Sequence, residues 1–176
     1  DQRVLNSREP LQAMIDKMAM LPLLAQPGTR WIYSSAVDAQ SYLVEKLSGQ
    51  TFAEFLNERI FGPLEMGDTA FYVPVSELGR VAARHRLDAQ GALERLSGRE
   101  PLTVMPQGPT GGAGLYSTAD DYLRFTQMLL NGGELNGVRL LAPRTVEMMR
   151  TNHMSEEATR NMRSGMGFGM DFMVYM

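Results

Sequence analysis

The chain has 176 residues, which suits one domain or a large part of one, and its 44% apolar and 21% charged residues are typical of a soluble globular protein. The net charge of -3 gives no reason to expect nucleic acid or an anionic membrane as a partner, and no apolar run approaches the roughly 20 residues of a membrane span. Cysteine is absent, so disulfides and thiol chemistry are excluded, and the compartment stays open between cytoplasm and periplasm.

Two helices separated by a loop are predicted in the first part of the chain. Apolar residues recur at helical spacing over Pro10–Met20, where Pro10 suits a first turn. Pro22 and Pro27-Gly28 indicate the loop, and a second helix is predicted over Ala36–Leu47. Its predicted buried side consists of Val37, Leu43, Val44 and Leu47.

Two helix starts in this part of the chain carry capping signals. Ser35 and Asp38 have the spacing of a capping box at the start of the second helix. Thr51 and Glu54 repeat that spacing, and we expect them to open a third helix that ends before Gly62.

The middle of the chain is predicted to be extended and rich in loops. Thr69–Val73 has strand composition. Val75–Glu100 is polar and charged and contains several glycines, so we expect a long excursion with a short hairpin or helix. Glycine and proline indicate a tight loop at Gly108–Gly114, where the glycines are interpreted as turn positions.

The last part of the chain predicts a capped helix, a hairpin, another helix and a strand. Ser117-Thr118 precedes a helix to about Leu130, and Asn136-Gly137 is a strong two-residue hairpin signal. Pro143 starts the last helix, and Met166–Val174 has strand composition. Since that run reaches the end of the chain, we expect residues 1–176 to be the central part of one domain, and we assign no internal boundary.

Most catalytic signatures are missing from these residues. His85 and His153 stand alone, so no metal site is predicted and both are interpreted as surface or packing residues. The sequence has no phosphate loop, and the glycines of Gly165–Gly169 do not fit the dinucleotide fingerprint, so no cofactor is expected. Neither the G-x-S-x-G nor the S-x-x-K motif is present, because residues other than serine stand three positions before Lys17 and Lys46.

Methionine is unusually frequent, with 14 residues, of which eight lie between Met148 and Met176. Methionine fills irregular gaps in cores, and this is the favoured interpretation. An adaptable apolar pocket for acyl groups is the alternative.

One candidate catalytic residue remains, Tyr33, which stands directly before the predicted second helix. The positive end of a helix dipole stabilises a phenolate, and a neighbouring ammonium group stabilises it further. Such a tyrosine can accept a serine proton and return it to a leaving group. The alternative is a core or boundary tyrosine whose hydroxyl bonds to the backbone.

Several segments together resemble the serine β-lactamase/penicillin-binding-protein-like superfamily, and within it class C β-lactamases and family VIII carboxylesterases. The first resembles the PGt-w-YS segment of that superfamily, and the others follow in the expected order. They are Gln26–Ser34, Val44–Gly49, Phe61–Thr69, Gly111–Asp121 and Met128–Gly133.

The resemblance implies an α+β chain, a helix-rich fragment of the β-lactamase/transpeptidase-like fold, in which an antiparallel sheet flanked by helices packs on a mainly helical region. It also implies an acyl-enzyme mechanism with a serine nucleophile, an adjacent lysine and the tyrosine of a Y-x-N-like motif as base. Tyr33 matches that tyrosine, and Ser35 stands where the substrate-binding asparagine is expected. This departure favours an esterase over a β-lactamase.

The expected function is therefore a serine hydrolase, most simply a carboxylesterase acting on a small-molecule ester or amide. A β-lactamase or D,D-peptidase, and a non-catalytic relative serving as a binding scaffold, remain as alternatives. The S-x-x-K and K-T-G-like motifs are expected in missing N- and C-terminal segments of the same protein, so residues 1–176 alone are expected to be inert. Without those segments Trp31, Phe71 and Phe172 are expected to lack partners. The sequence leaves the oligomeric state open.

Overall fold

The computed structural model describes residues 9–33, 35–96, 101–160, 162 and 165–176, in which six α-helices accompany three antiparallel two-stranded hairpins. The helices are α1 Leu11–Ala19, α2 Ala36–Ser48, α3 Phe52–Leu56, α4 Ala119–Leu130, α5 Pro143–Met149 and α6 Glu156–Thr159. The strands are β1 His85–Leu87, β2 Leu93–Arg95, β3 Glu134–Leu135, β4 Val138–Arg139, β5 Met166–Phe168 and β6 Met173–Tyr175, and each pairs with its neighbour in sequence. A π-helical turn, Asn57–Phe61, continues α3, and a 3-10 helix covers Val75–Arg80. No helix in the described ranges combines the length and apolarity that a bilayer crossing requires.

The first two helices form where they are predicted, but α2 buries a different side. In α1 the predicted inward residues Leu11 and Met14 are buried. In α2 Leu43 is 55% exposed and Leu47 is 88% exposed, so the predicted buried side is wrong at these positions. The residues buried along α2 are polar, Asp38 and Ser41.

The Thr51–Glu54 capping box is confirmed. The Thr51 hydroxyl accepts a hydrogen bond from the backbone N–H of Glu54, and the Glu54 carboxylate accepts one from the backbone N–H of Thr51 at 2.9 Å. Each bond satisfies a backbone donor that a helix start leaves without an intrahelical partner.

The core cluster lies where the turn after α3 meets α4. Its buried members are Phe61, Leu64, Met66 and Met128, all at 7% exposure or less. Met128 is therefore a core-filling methionine, as the favoured interpretation expects, but none of the eight methionines between Met148 and Met176 is buried. Partly buried side chains surround the cluster, namely Leu56, Ile60, Phe125, Leu129, Leu135, Leu140 and Leu141.

Thr69–Val73 is not a regular strand. A single antiparallel bridge joins Ala70 to Tyr116, and the N–H of Val73 donates to the Leu102 carbonyl at 2.8 Å. The chain bends at Phe71 and Tyr72, and no continuous partner strand lies beside the segment among the described residues. Its apolar member Phe71 is nevertheless 2% exposed, so Phe71 has partners within this chain, contrary to the expectation.

The structure contains the hairpin predicted at Asn136-Gly137 and two others, one of which was not predicted. The excursion after Val75 contains the 3-10 helix and the β1–β2 hairpin, while residues 97–100 lie outside the described part. Asn136 (φ 50°) and Gly137 (φ 82°) form the turn between β3 and β4, as predicted. Met166–Val174 was expected to be one strand and is instead a hairpin, because Asp171 adopts a φ of 59° and reverses the chain.

The start of α4 is capped by Thr118, whose hydroxyl accepts from the N–H of Asp121 at 3.2 Å. The Asp121 side chain is buried and turns back to the loop before Phe71. It accepts from the Asp68 N–H at 2.9 Å and from the Thr69 hydroxyl at 2.8 Å. Asp121 thus ties α4 to the turn at Asp68 and Thr69.

Candidate active site

Tyr33 lies on the short irregular segment, residues 30–33, that leads into α2. Its side chain is 82% exposed, which is incompatible with the alternative of a core position. Two residues later Ser35 occupies the N-cap position of α2, while Ser34 lies outside the described residues. The candidate base is therefore open to solvent, close in sequence to the positive end of a 13-residue helix.

Ser35 holds the N-cap position without making the cap. Its backbone has φ −72° and ψ 20°, and its side chain makes no capping hydrogen bond. The predicted Ser35–Asp38 capping box is therefore wrong. The reason is that the Asp38 carboxylate bonds elsewhere, since its Oδ1 accepts from the backbone N–H of Gly112 at 3.0 Å. The helix does not use the Ser35 hydroxyl as a cap, so this group is available for another role.

The glycine-rich loop packs directly on the first turn of α2. A Cβ on Gly111 would lie 2.5 Å from the carbonyl oxygen of Val37, and one on Gly112 would lie 2.8 Å from Oδ1 of Asp38. Only Gly114, with φ 106°, fits the predicted role of a turn glycine among these three. Gly111 and Gly112 are glycines because two backbone segments approach closely.

The candidate base belongs to a row of three aromatic rings. The Trp31 ring centroid lies 6.1 Å from that of Tyr33 and 5.4 Å from that of Phe168 on β5, with tilted rings in both pairs. Trp31 is partly buried, so it has a partner within this chain, whereas Phe172 is 36% exposed. The row joins the segment before α2 to the last hairpin.

The turn preceding this segment is also defined. Gly28 has a φ of 83°, and the Thr29 hydroxyl donates to the Gln26 carbonyl at 2.7 Å. The Ser155 hydroxyl reaches the Gly28 carbonyl at 3.5 Å from the start of α6. The segment before Tyr33 is thus bounded by a turn on one side and by α2 on the other.

Two surface clefts lie elsewhere. One, of about 460 Å³, lies between α4 and α5 and is lined in part by Leu130 and Arg150. The other, of about 450 Å³, is charged and includes Asp68, Arg80 and Arg124. The Arg80 guanidinium, hydrogen-bonded to Asp68, holds the pKa of that carboxyl below its usual range. Neither cleft is lined by the predicted site residues.

The two histidines lie far from Tyr33 in sequence. His85 is exposed on β1, and Nε2 of His153 lies 2.7 Å from the Met148 carbonyl oxygen. The described residues contain no group of three or more His, Asp or Glu side chains that could hold a metal ion.

The sequence interpretation missed two features of this site. The first is Asp38 as a buried anchor, which its capping-box spacing with Ser35 concealed. The second is Phe168 as a neighbour of Trp31, for which no local signal exists. The sequence signal for the first is the pair Gly111-Gly112, because glycine allows two backbone segments to approach closely.

Comparison with known proteins gives consistent results. The β-lactamase family model matches residues 2–176. An uncharacterised protein of Mycobacterium tuberculosis is 39% identical over 163 residues, covering 89% of this chain and 41% of that protein. Lovastatin esterase of Penicillium rubens is 33% identical over 160 residues, covering 87% of this chain and 38% of the esterase. The chain thus spans about two-fifths of the length of these relatives.

Solved structures confirm the predicted α+β fold of a helix-rich fragment. The hydrolase EstCE1, described as having promiscuous acyltransferase activity, superposes with a TM-score of 0.78 at 24% identity, covering 98% of this chain and 49% of that one. Simvastatin synthase from Aspergillus terreus superposes with a TM-score of 0.75 at 24% identity, covering 94% and 45% of the two chains.

Proposed function

The chain belongs to the β-lactamase family and has its β-lactamase/transpeptidase-like fold, and we propose that the whole protein is a serine carboxylesterase acting through an acyl-enzyme. Relatives that are named as esterases support this proposal, among them lovastatin esterase and the esterase EstB of Burkholderia gladioli, which is 32% identical over 131 residues. The substrate class proposed is a small-molecule ester.

The observation that carries the proposal is the placement of Tyr33. It is exposed, it precedes the N-terminus of α2, and it stands next to Trp31 in an aromatic row. A base must reach the proton it accepts, and the exposed side chain of Tyr33 leaves its hydroxyl open to a reacting group. In residues 1–176 no serine has a lysine three positions later, so the nucleophile is assigned to another part of the whole protein.

In the proposed reaction a serine hydroxyl attacks the ester carbonyl carbon, and the Tyr33 phenolate accepts the hydroxyl proton. The bond from the carbonyl carbon to the alcohol oxygen then breaks, and Tyr33 returns the proton to the departing oxygen. Water next attacks the carbonyl carbon of the acyl-enzyme and gives a proton to Tyr33. The bond from that carbon to the serine oxygen then breaks, and Tyr33 returns the proton to the serine oxygen as the carboxylic acid leaves.

Ser35 is the proposed substrate-binding residue. A hydroxyl is both a donor and an acceptor, but it is shorter than the asparagine side chain expected in a Y-x-N-like motif. It is not engaged in capping α2. A short hydroxyl leaves more space beside the scissile bond and offers no amide to match the amide of a β-lactam, which favours ester substrates.

The test uses the full-length protein and p-nitrophenyl butyrate. Tyr33→Phe is expected to lower kcat by roughly 10²–10⁴-fold, the usual contribution of a positioned acid–base group. Tyr122→Phe is the matched control, because Tyr122 is also exposed, at 62%, but lies on α4. A folded Tyr33→Phe variant with the kcat of the wild type would remove Tyr33 from catalysis.

The alternatives are a β-lactamase or D,D-peptidase and a non-catalytic scaffold. We expect kcat/KM for the butyrate ester to exceed that for a chromogenic cephalosporin, and Ser35→Asn to shift the ratio towards the cephalosporin. A clear cephalosporin preference in the wild type supports the β-lactamase alternative. The absence of an S-x-x-K motif from the complete reading frame, together with no turnover of either substrate, supports the scaffold.

A further inference from the structure

Tyr33, Trp31 and Phe168 form a continuous row of three rings. The ring centroids of Trp31 and Tyr33 lie 6.1 Å apart, with an interplanar angle of 46°. Trp31 then contacts Phe168 with a centroid separation of 5.4 Å and an interplanar angle of 51°. Tilted pairs at this separation are favourable, so the position of Trp31 depends on that of Phe168.

Phe168 is itself fixed through its backbone. Its N–H donates to Oδ1 of Asn152 at 3.1 Å, and its carbonyl accepts from the N–H of His153 at 3.0 Å. Asn152 Oδ1 also accepts from the N–H of Met154 at 3.1 Å. One side-chain oxygen thus joins two chain segments, because it accepts from both.

The glycines on either side of Phe168 allow this close approach. A Cβ on Gly167 would lie 2.4 Å from Asn152 Oδ1, and a Cβ on Gly169 would lie 2.0 Å from the carbonyl oxygen of Met149. Neither glycine has a positive φ, so the turn conformation does not require them. They are required because β5 presses against the segment that contains Asn152.

We propose that Asn152 and Phe168 are positioning residues for Tyr33, acting through Trp31. The inference rests on the proposed function, in which Tyr33 is the base. An exposed tyrosine side chain samples several rotamers, and catalysis needs the one that places its oxygen at the serine hydroxyl. Asn152 holds Phe168, Phe168 holds Trp31, and the Trp31 ring restricts the Tyr33 ring, whose centroid lies 6.1 Å away.

The proposal is tested in the full-length protein with p-nitrophenyl butyrate. Asn152→Ala is expected to lower kcat roughly 10- to 100-fold with KM little changed, since a small misplacement of a catalytic group has effects of this size. Asn152→Asp should recover most of the kcat, because a carboxylate oxygen accepts the same two N–H bonds. Asn131→Ala, an exposed asparagine at the end of α4, is the control.

A second pair of variants does not depend on Asn152. Phe168→Leu should lower kcat and Phe168→Tyr should retain it, because only the latter keeps the ring. Phe172→Leu removes an aromatic ring between β5 and β6 and is the matched control, since the described contacts of Trp31 involve Tyr33 and Phe168. The ¹⁹F resonance of 5-fluoro-Trp31, assigned by its loss in Trp31→Phe, should shift in Phe168→Leu and not in Phe172→Leu.

The Tyr33→Phe background separates positioning from general destabilisation. If Asn152 acts through the Tyr33 hydroxyl, Asn152→Ala lowers kcat little further once that hydroxyl is gone. An equal loss in both backgrounds, or an unchanged kcat in folded Phe168→Leu, overturns the inference while leaving Tyr33 as the base. A wild-type kcat for Tyr33→Phe instead contradicts the proposed function. Should Asn152→Ala fail to fold, the Phe168 pair decides.

Discussion

The buried carboxylate of Asp38 accepts a hydrogen bond from the backbone N–H of Gly112, a residue 74 positions later, at 3.0 Å. Asp38 is 4% exposed, and the bond joins the first turn of α2 to the glycine-rich loop. The helix that follows Tyr33 is therefore fixed at its start by a distant part of the chain.

This contact predicts that substitution of either Asp38 or Gly112 lowers the stability of the protein. Asp38→Ala leaves the Gly112 N–H without its acceptor, and Gly112→Ala places a methyl group against the carboxylate, so each should lower the free energy of unfolding by about 1–3 kcal/mol. Urea denaturation of the full-length protein measures this. Gly67→Ala is the control, because a Cβ there meets nothing within 4 Å. Equal stability of Gly112→Ala and Gly67→Ala would contradict the close packing.

Substitution of Asp121 is expected to destabilise the protein more than substitution of its neighbour Asp120. Asp121 is 6% exposed and accepts from both the N–H of Asp68 and the hydroxyl of Thr69. Asp121→Ala removes the acceptor from the buried Thr69 hydroxyl and from the partly buried Asp68 N–H. This should cost about 1–3 kcal/mol and lower the urea midpoint. Asp120→Ala, at an exposed position one residue earlier, should have little effect. Comparable midpoints for the two variants would show that the network does not stabilise the fold.

Two glycines of the hairpin after α4 allow the energetic cost of backbone strain to be separated from that of atomic overlap. Gly133 and Gly137 both have positive φ, 98° and 82°, but only a Cβ on Gly133 would meet another atom, the Leu141 carbonyl oxygen at 2.1 Å. Gly137→Ala should cost about 1 kcal/mol from backbone strain alone, and Gly133→Ala should cost clearly more. Thermal denaturation measures the loss of stability in the two variants. A larger loss in Gly137→Ala than in Gly133→Ala would be inconsistent with this packing.

The Thr51–Glu54 box predicts a pH dependence. The Thr51 hydroxyl and backbone N–H, both bonded to the Glu54 carboxylate, lower the pKa of Glu54. A carboxyl with a lowered folded-state pKa adds stability above its unfolded pKa, and this is lost as the pH falls through the folded value.

The urea midpoint of Thr51→Ala should therefore lie below that of the wild type at pH 7, and the gap should narrow as the pH falls through the carboxylate range. Thr51→Ser retains the hydroxyl and should follow the wild type. A gap of the same width at all pH values would assign the effect of Thr51 to its acceptor role alone.

Elements whose interactions are local were predictable from the sequence. The Thr51–Glu54 box and the Asn136-Gly137 turn both formed as predicted, because each depends on residues within a few positions of one another. The Ser35–Asp38 spacing carried the same signal and did not form the same structure. The backbone N–H of Gly112 offered Asp38 a partner that no local pattern reveals.

By itself the sequence determined the family, the fold class, the position of Tyr33 before a helix and the local caps and turns, since these follow from motif order and short-range hydrogen bonds. Only the tertiary structure decided which side of α2 is buried, that Met166–Val174 folds back on itself, and that Phe168 stands beside Trp31. Apolar spacing indicates that a helix has a buried side, but the segments packed against it decide which side that is. In α2 the glycine-rich loop approaches the polar side at Asp38, where a carboxylate can satisfy a backbone N–H and a leucine cannot.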